Sequence, residues 1–153
     1  MKLVRTDGNL CVFRLGQRER DLFTQVLRRH PLVPTGYHRY TRAGATADDP
    51  ANQALLDEAM AGHRAEHRER VEGLLNDPSR LGSDEKGWRL TLSREDIEWL
   101  LQVLNDVRVG SWLKAGCPDP DGKTPPKITA ANATFFALIE AAGHFETALL
   151  DVL

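Results

Sequence analysis

The chain has 153 residues, of which 27% are charged and 41% apolar, and carries a formal net charge of −2. That length suits one domain over 1–153, able to bury roughly 68–70% of its unfolded surface without staples, and the apolar and charged fractions are those of a globular protein. The balance excludes a general nucleic-acid or anionic-membrane binder, which needs a positive field, and no apolar run approaches the ~20 residues of a spanning helix.

Lys2 and Arg5 bracket too few apolar residues for a signal peptide. Cys11 and Cys117 are the only cysteines and show no scaffold spacing, so a reduced cytoplasmic compartment is expected. Leu3-Val4-Arg5 and Leu10-Cys11-Val12-Phe13 flank Asp7-Gly8-Asn9, the signature of a hairpin over 2–14. Gly16 and Gln17 open a helix over about 17–29 whose Leu22, Phe23, Val26 and Leu27 form an apolar stripe, and Pro31 marks its end.

The loop 31–50 contains Tyr37-His38-Arg39-Tyr40-Thr41-Arg42, aromatics interleaved with bases as on single-strand binding surfaces. In a chain without a basic surplus such a hexamer reads as loop packing, and RNA binding is the weakest of three functional readings. A long helix is expected over about 52–76, closed by Asp77-Pro78. Trp88-Arg89-Leu90-Thr91 alternates and is either a third strand or the lead-in to the next helix.

A full helix start lies at Ser93, an N-cap with Asp96 three residues on, flanked by Leu92 and Ile97 at the two positions of a hydrophobic staple. At about 100° per residue the helix over 94–114 places Ile97, Leu100, Leu101, Leu104, Val107, Ser111 and Trp112 on one face, with Arg108 within about 20° of its middle. A guanidinium aimed at a core needs a partner, and Asp106, two residues away, points to nearly the opposite side. Trp99, with Asp106 and Gly110, falls opposite that stripe and is the candidate surface for a protein partner or self-association. The competing reading is a second buried face, because Val103 and Leu113 lie near it.

The string Trp99-Leu100-Leu101-Gln102-Val103-Leu104-Asn105-Asp106-Val107-Arg108, running on to Gly110 and Leu113, resembles the bacterial family known as domain of unknown function two-zero-one-seven. Thr6-Asp7-Gly8-Asn9 precedes it in the order that family shows, an Asp-Gly strand pair followed by helices and a Trp-Leu…Leu-Asn-Asp-x-Arg segment. The resemblance implies a bacterial protein with no activity to carry over. Some actinobacterial members are encoded beside the ClpS proteolysis adaptor, which implies a regulatory or adaptor role in protein turnover. The loop 31–50 and the insert 117–126 depart from the pattern.

Gly116 to Gly122 is a turn-dense connector whose Asp-Pro-Asp-Gly lacks the later bidentate glutamate of a calcium loop. Thr129 is the expected cap of a last helix over about 130–150, with Phe135, Leu138, Ile139, Ala142 and Leu149 on its buried stripe.

The residues with chemistry lie on those stripes. His63 and His67, four apart beside Leu56, Met60, Val71 and Leu74, share a helix face, and His63-Arg64-Ala65-Glu66-His67 matches the pattern of inverted zinc peptidases. In that reading His63, His67 and Glu146 hold zinc, and Glu66 is general base on a metal-bound water whose pKa falls to roughly 7. Against it stand Arg64, Arg68 and Arg70, which repel a divalent cation, and a chain far shorter than those peptidases. The preferred arrangement is a structural polar network: an ion pair of Arg108 with Glu146 between the last two helices, joined by His63 or His67. Nucleotide-binding glycine loops, nucleophile elbows and di-iron Glu-x-x-His pairs are absent.

The expected fold is therefore α+β and mainly α: an N-terminal hairpin packed on an antiparallel assembly of about four helices. The expected function is a non-enzymatic cytoplasmic interaction or regulatory protein, a dimer or a partner-binding chain without cofactor. The alternative is a small zinc-binding protein or hydrolase.

Overall fold

The computed structural model describes residues 1–37, 50–117 and 126–153. Four strands and four helices follow one another as β1 (Lys2–Asp7), β2 (Leu10–Leu15), α1 (Gln17–Leu27), α2 (Pro50–Asn76), β3 (Leu81–Asp84), β4 (Gly87–Ser93), α3 (Arg94–Lys114) and α4 (Ala133–Leu150). The fold is α+β, and the hairpin opens it as expected. His38 to Arg42 and the Asp-Pro-Asp-Gly connector lie outside the described residues.

The hairpin is half of a larger sheet. All pairings are antiparallel, in the order β1-β2-β4-β3. Trp88 to Thr91 is thus a strand, and the turn at Glu85-Lys86 supplies its partner β3, which sequence reading missed because Leu81 to Asp84 holds one large apolar residue. Gly8 and Gly87 turn the two hairpins at positive φ, +58° and +109°. Alternation does the rest: Cys11, Phe13, Leu15, Leu90 and Leu92 point inward and are buried, while Arg14, Arg89 and Thr91 face the other way.

Phe13, Leu90 and Leu92 meet Phe23, Val26 and Leu27 of α1 and Ile97, Leu100 and Leu104 of α3 in one core, which Phe145 and Leu149 of α4 complete. Phe23 and Phe145 pack edge to face at 5.0 Å, joining α1 to α4. Leu22, expected on the stripe, is exposed.

Ser93 caps α3 with both halves of the capping box: its hydroxyl accepts the Asp96 amide at 3.1 Å, and its own amide donates to Asp96 at 3.0 Å. The start of α4 is different. Asn132, not Thr129, stands at the N-cap, and Thr129 donates its amide to Asn132 Oδ1 in the turn before the helix. The ends of α1 and α2 also shift, α1 stopping at Leu27 and α2 starting at Pro50.

The buried arc of α3 is the main departure from the helical wheel. Trp99, Val103 and Gly110 are buried together with Leu100, Leu104, Val107 and Ser111. At about 100° per residue the arc runs from Trp99 round to Ile97, centred about 60–80° away from the expected stripe. Arg108, Leu101 and Trp112 consequently sit at its edge. Arg108 is not aimed at the core: its side chain remains 47% exposed.

Candidate functional site

Three histidines gather where α2 crosses α3. His63 and His67 come from one face of α2, as their spacing requires. His30 comes from the turn after α1, whose amide still bonds back to the Leu27 carbonyl at 3.1 Å. Ring centroids stand 5.6 Å apart for His30 and His67, and 5.8 Å for His63 and His67. The cleft they line encloses about 370 Å³, with Arg64 beside them, Gln102, Asn105 and Asp106 of α3 opposite, and Val33, Met60 and Val109 as apolar wall. Sequence reading missed His30, for it lies outside any periodic stripe; the turn after α1 brings it in.

That turn is held by α3. Asp106 Oδ1 accepts the Leu32 amide at 2.6 Å and the Val33 amide at 3.4 Å. One helical turn on, Gly110 lets the same backbone approach: a Cβ there would lie 2.5 Å from the Leu32 carbonyl carbon and 2.7 Å from the Val33 nitrogen. Asp106 and Gly110 are therefore internal supports of the cleft, not an exposed partner surface. Arg64 closes the other side, donating from Nη2 to the Pro34 carbonyl at 3.3 Å.

Trp99 is likewise not an exposed patch. It is buried under α2, with the Arg70 guanidinium 4.5 Å above its ring and the His67 ring edge to face with it, centroids 6.3 Å apart. Val71 and Leu74 are the buried residues of α2, so this polar and aromatic clamp supplements a short apolar anchor. Arg70 also reaches Asp96 at 3.0 Å, where Arg80 arrives at 2.7 Å, tying α2 and the start of β3 to the cap of α3.

Charge in the cleft follows from burial. His30 is buried and its Nδ1 has no hydrogen-bond partner. Desolvation lowers its pKa most, with His67, Arg64 and Arg68 adding to the effect and Asp106 opposing it. His67 is lowered by desolvation and then by His63. Both shifts favour the neutral ring.

The Arg108–Glu146 pair lies elsewhere. Arg108 Nε stands 3.3 Å from Glu146 Oε2, and Glu146 is buried on α4. Glu146 lines a separate depression with Arg108, His144 and Gly143. It therefore cannot complete a zinc site with His63 and His67, and neither histidine joins the ion pair. Desolvation raises the Glu146 pKa and Arg108 only partly counters it, because its guanidinium is half in water. Glu66 is exposed, a residue away from His67 and so turned about 100° from it.

The outer face of the sheet carries a second feature. Val4, Leu10 and Val12 form an aliphatic floor, rimmed by Arg5, Arg14, Lys86 and Arg89. Register places Val12 opposite Thr91 and Arg14 opposite Arg89, so these side chains share one face. Asp84 takes Arg14 at 2.5 Å and Asp7 takes Arg5 at 3.4 Å. Of the helices, α1, α2 and α3 contact the sheet, and the core they share with it lies on its inner, apolar side. Among the described residues no helix is long and apolar enough to cross a membrane, and both cysteines are free thiols.

Against known proteins, no family model, no curated protein and no solved structure matches the chain.

Proposed function

We propose that the chain is a non-enzymatic interaction or regulatory protein whose working surface is the outer face of the β-sheet, and that its partner is an acidic protein segment. The carrying observation is the groove floored by Val4, Leu10 and Val12 and rimmed by Arg5, Arg14, Lys86 and Arg89 in a chain of net charge −2. With Arg5 shared with Asp7 and Arg14 with Asp84, the surplus positive charge of this rim comes from Lys86 and Arg89, and on so nearly neutral a molecule it forms a local field that steers an acidic, partly apolar segment. Leu10 and Val4, 46% and 50% exposed, supply apolar area that ion pairing alone does not. This surface replaces Trp99, which is internal.

A cytoplasmic setting is part of the proposal, supported by two unpaired thiols. The link to protein turnover rests on the resemblance carried by the segment 99–108.

The test is fluorescence anisotropy with a labelled glutamate-rich peptide containing leucines and, in parallel, a single-stranded oligonucleotide of the same charge. The peptide is expected to bind in a salt-dependent way, and Lys86→Glu with Arg89→Glu is expected to weaken it at least about tenfold while circular dichroism stays unchanged. Peptide affinity unaffected by the double reversal, or tighter binding of the oligonucleotide, sinks the acidic-protein reading.

A further inference from the structure

We propose that His30, His63 and His67 form a binding site for a divalent transition-metal ion, zinc being the best match to an all-imidazole donor set. The ring spacing is the first support. Two imidazoles on one tetrahedral zinc, each at about 2.0–2.1 Å, hold their centroids about 5 Å apart. His67 stands 5.6 Å from His30 and 5.8 Å from His63, within reach of that geometry on both sides.

The second support is His30 itself. The residue is 6% exposed, it lines the cleft, and its Nδ1 has neither a hydrogen-bond partner nor access to water. A buried nitrogen left without a partner is costly, and a metal ion is one of the few ligands a neutral imidazole can satisfy in full. The turn that positions it is held rigidly by Asp106 and spaced by Gly110, as a third ligand on a loop requires.

The charge around the cleft is less hostile than the sequence suggests. The Arg70 charge is paired with Asp96 and Asp106 places a carboxylate on the opposite wall, which leaves Arg64, bonded to the neutral Pro34 carbonyl, and Arg68 as the opposing charges. Among the described residues no three ligating groups stand close enough to hold an ion without movement. The movement falls to His63, which is exposed and changes rotamer, and to the contacts that close His30 Nδ1 off from the cleft, with water from the open cleft as fourth ligand.

The test titrates untagged, chelator-stripped protein with zinc chloride by calorimetry and with cobalt chloride by visible absorption. One equivalent of zinc is expected, with the intense visible bands of four-coordinate cobalt. His63→Ala, at an exposed position whose ring contact is with His67, is expected to weaken zinc at least tenfold and to bleach the cobalt bands while the far-ultraviolet spectrum stays unchanged. His30 is tested without mutation, by X-ray absorption on the zinc complex: three imidazoles support the site. Two imidazoles, retention of full affinity by His63→Ala, or a stoichiometry other than one overturns it.

Discussion

Asp106 on α3 accepts the backbone amide of Leu32 at 2.6 Å across 74 residues of sequence. That bond, with its weaker companion to Val33, fixes the chain direction after α1 and so decides that His30 faces α2. Asp106→Ala leaves two amides in a partly buried turn without their acceptor, and the expected loss is about 1–3 kcal/mol. Urea denaturation checks it, with Asp106→Asn, which keeps a carbonyl acceptor, falling between the two.

Gly110→Ala sets helix propensity against space. Alanine in a helix interior is favoured over glycine by about 0.8–1.0 kcal/mol. Here the added Cβ meets backbone atoms of Leu32 and Val33 at 2.5–2.7 Å, which cannot rotate away. The clash wins, and a net loss of about 1–3 kcal/mol is expected by the same denaturation experiment. An unchanged midpoint would show that the 31–33 turn is not held against α3.

Trp99→Ala is expected to act on stability and not on assembly. The side chain is buried between α3 and α2, so truncation removes apolar contact together with the platform for Arg70. The loss expected is about 3–5 kcal/mol, seen as a lowered melting temperature with the mass by light scattering unchanged. A stable variant with altered mass would return Trp99 to the surface.

Glu146→Gln is expected to be neutral or stabilising at pH 7. The folded protein raises the Glu146 pKa by burial, more than Arg108 lowers it, so the native state binds this proton more tightly than the unfolded chain does. Stability from this group is therefore greatest below its ordinary value of 4.5 and declines as pH rises through the interval up to the raised value. Glutamine should abolish that segment of the stability profile. A double-mutant cycle with Arg108→Ala should give a coupling of less than about 1 kcal/mol, the range of a solvent-screened pair.

Asp96 behaves in the opposite sense. Burial opposes its ionisation, but the Ser93 amide, Arg70, the Ser93 hydroxyl and Arg80 outweigh it and hold the carboxyl below its ordinary 3.8. Its contribution is present in full above 3.8 and is lost as pH falls through the lowered value. Asp96→Asn should cost about 1–2 kcal/mol at neutral pH and flatten the acid limb of a melting-temperature profile below pH 4.

Local chemistry was legible wherever neighbours in sequence settle the matter. The Asp7 to Asn9 turn, the Ser93 cap with its Asp96, and the shared face of His63 and His67 each depend on residues two to four apart, where backbone geometry alone fixes the relation. What a helical wheel cannot supply is which arc of α3 the other elements cover. It gave angles between Arg108, Trp99 and Asp106, while the direction of the core depended on where α2, α4 and the 31–33 turn pack. Tertiary packing buried Trp99, left Arg108 half in water, and put Glu146 in a different depression from the two histidines. It also brought His30, 33 positions before His63, into the cleft through a turn held by Asp106. A residue in a loop has no periodicity to announce it, so only the closed chain could name the third imidazole.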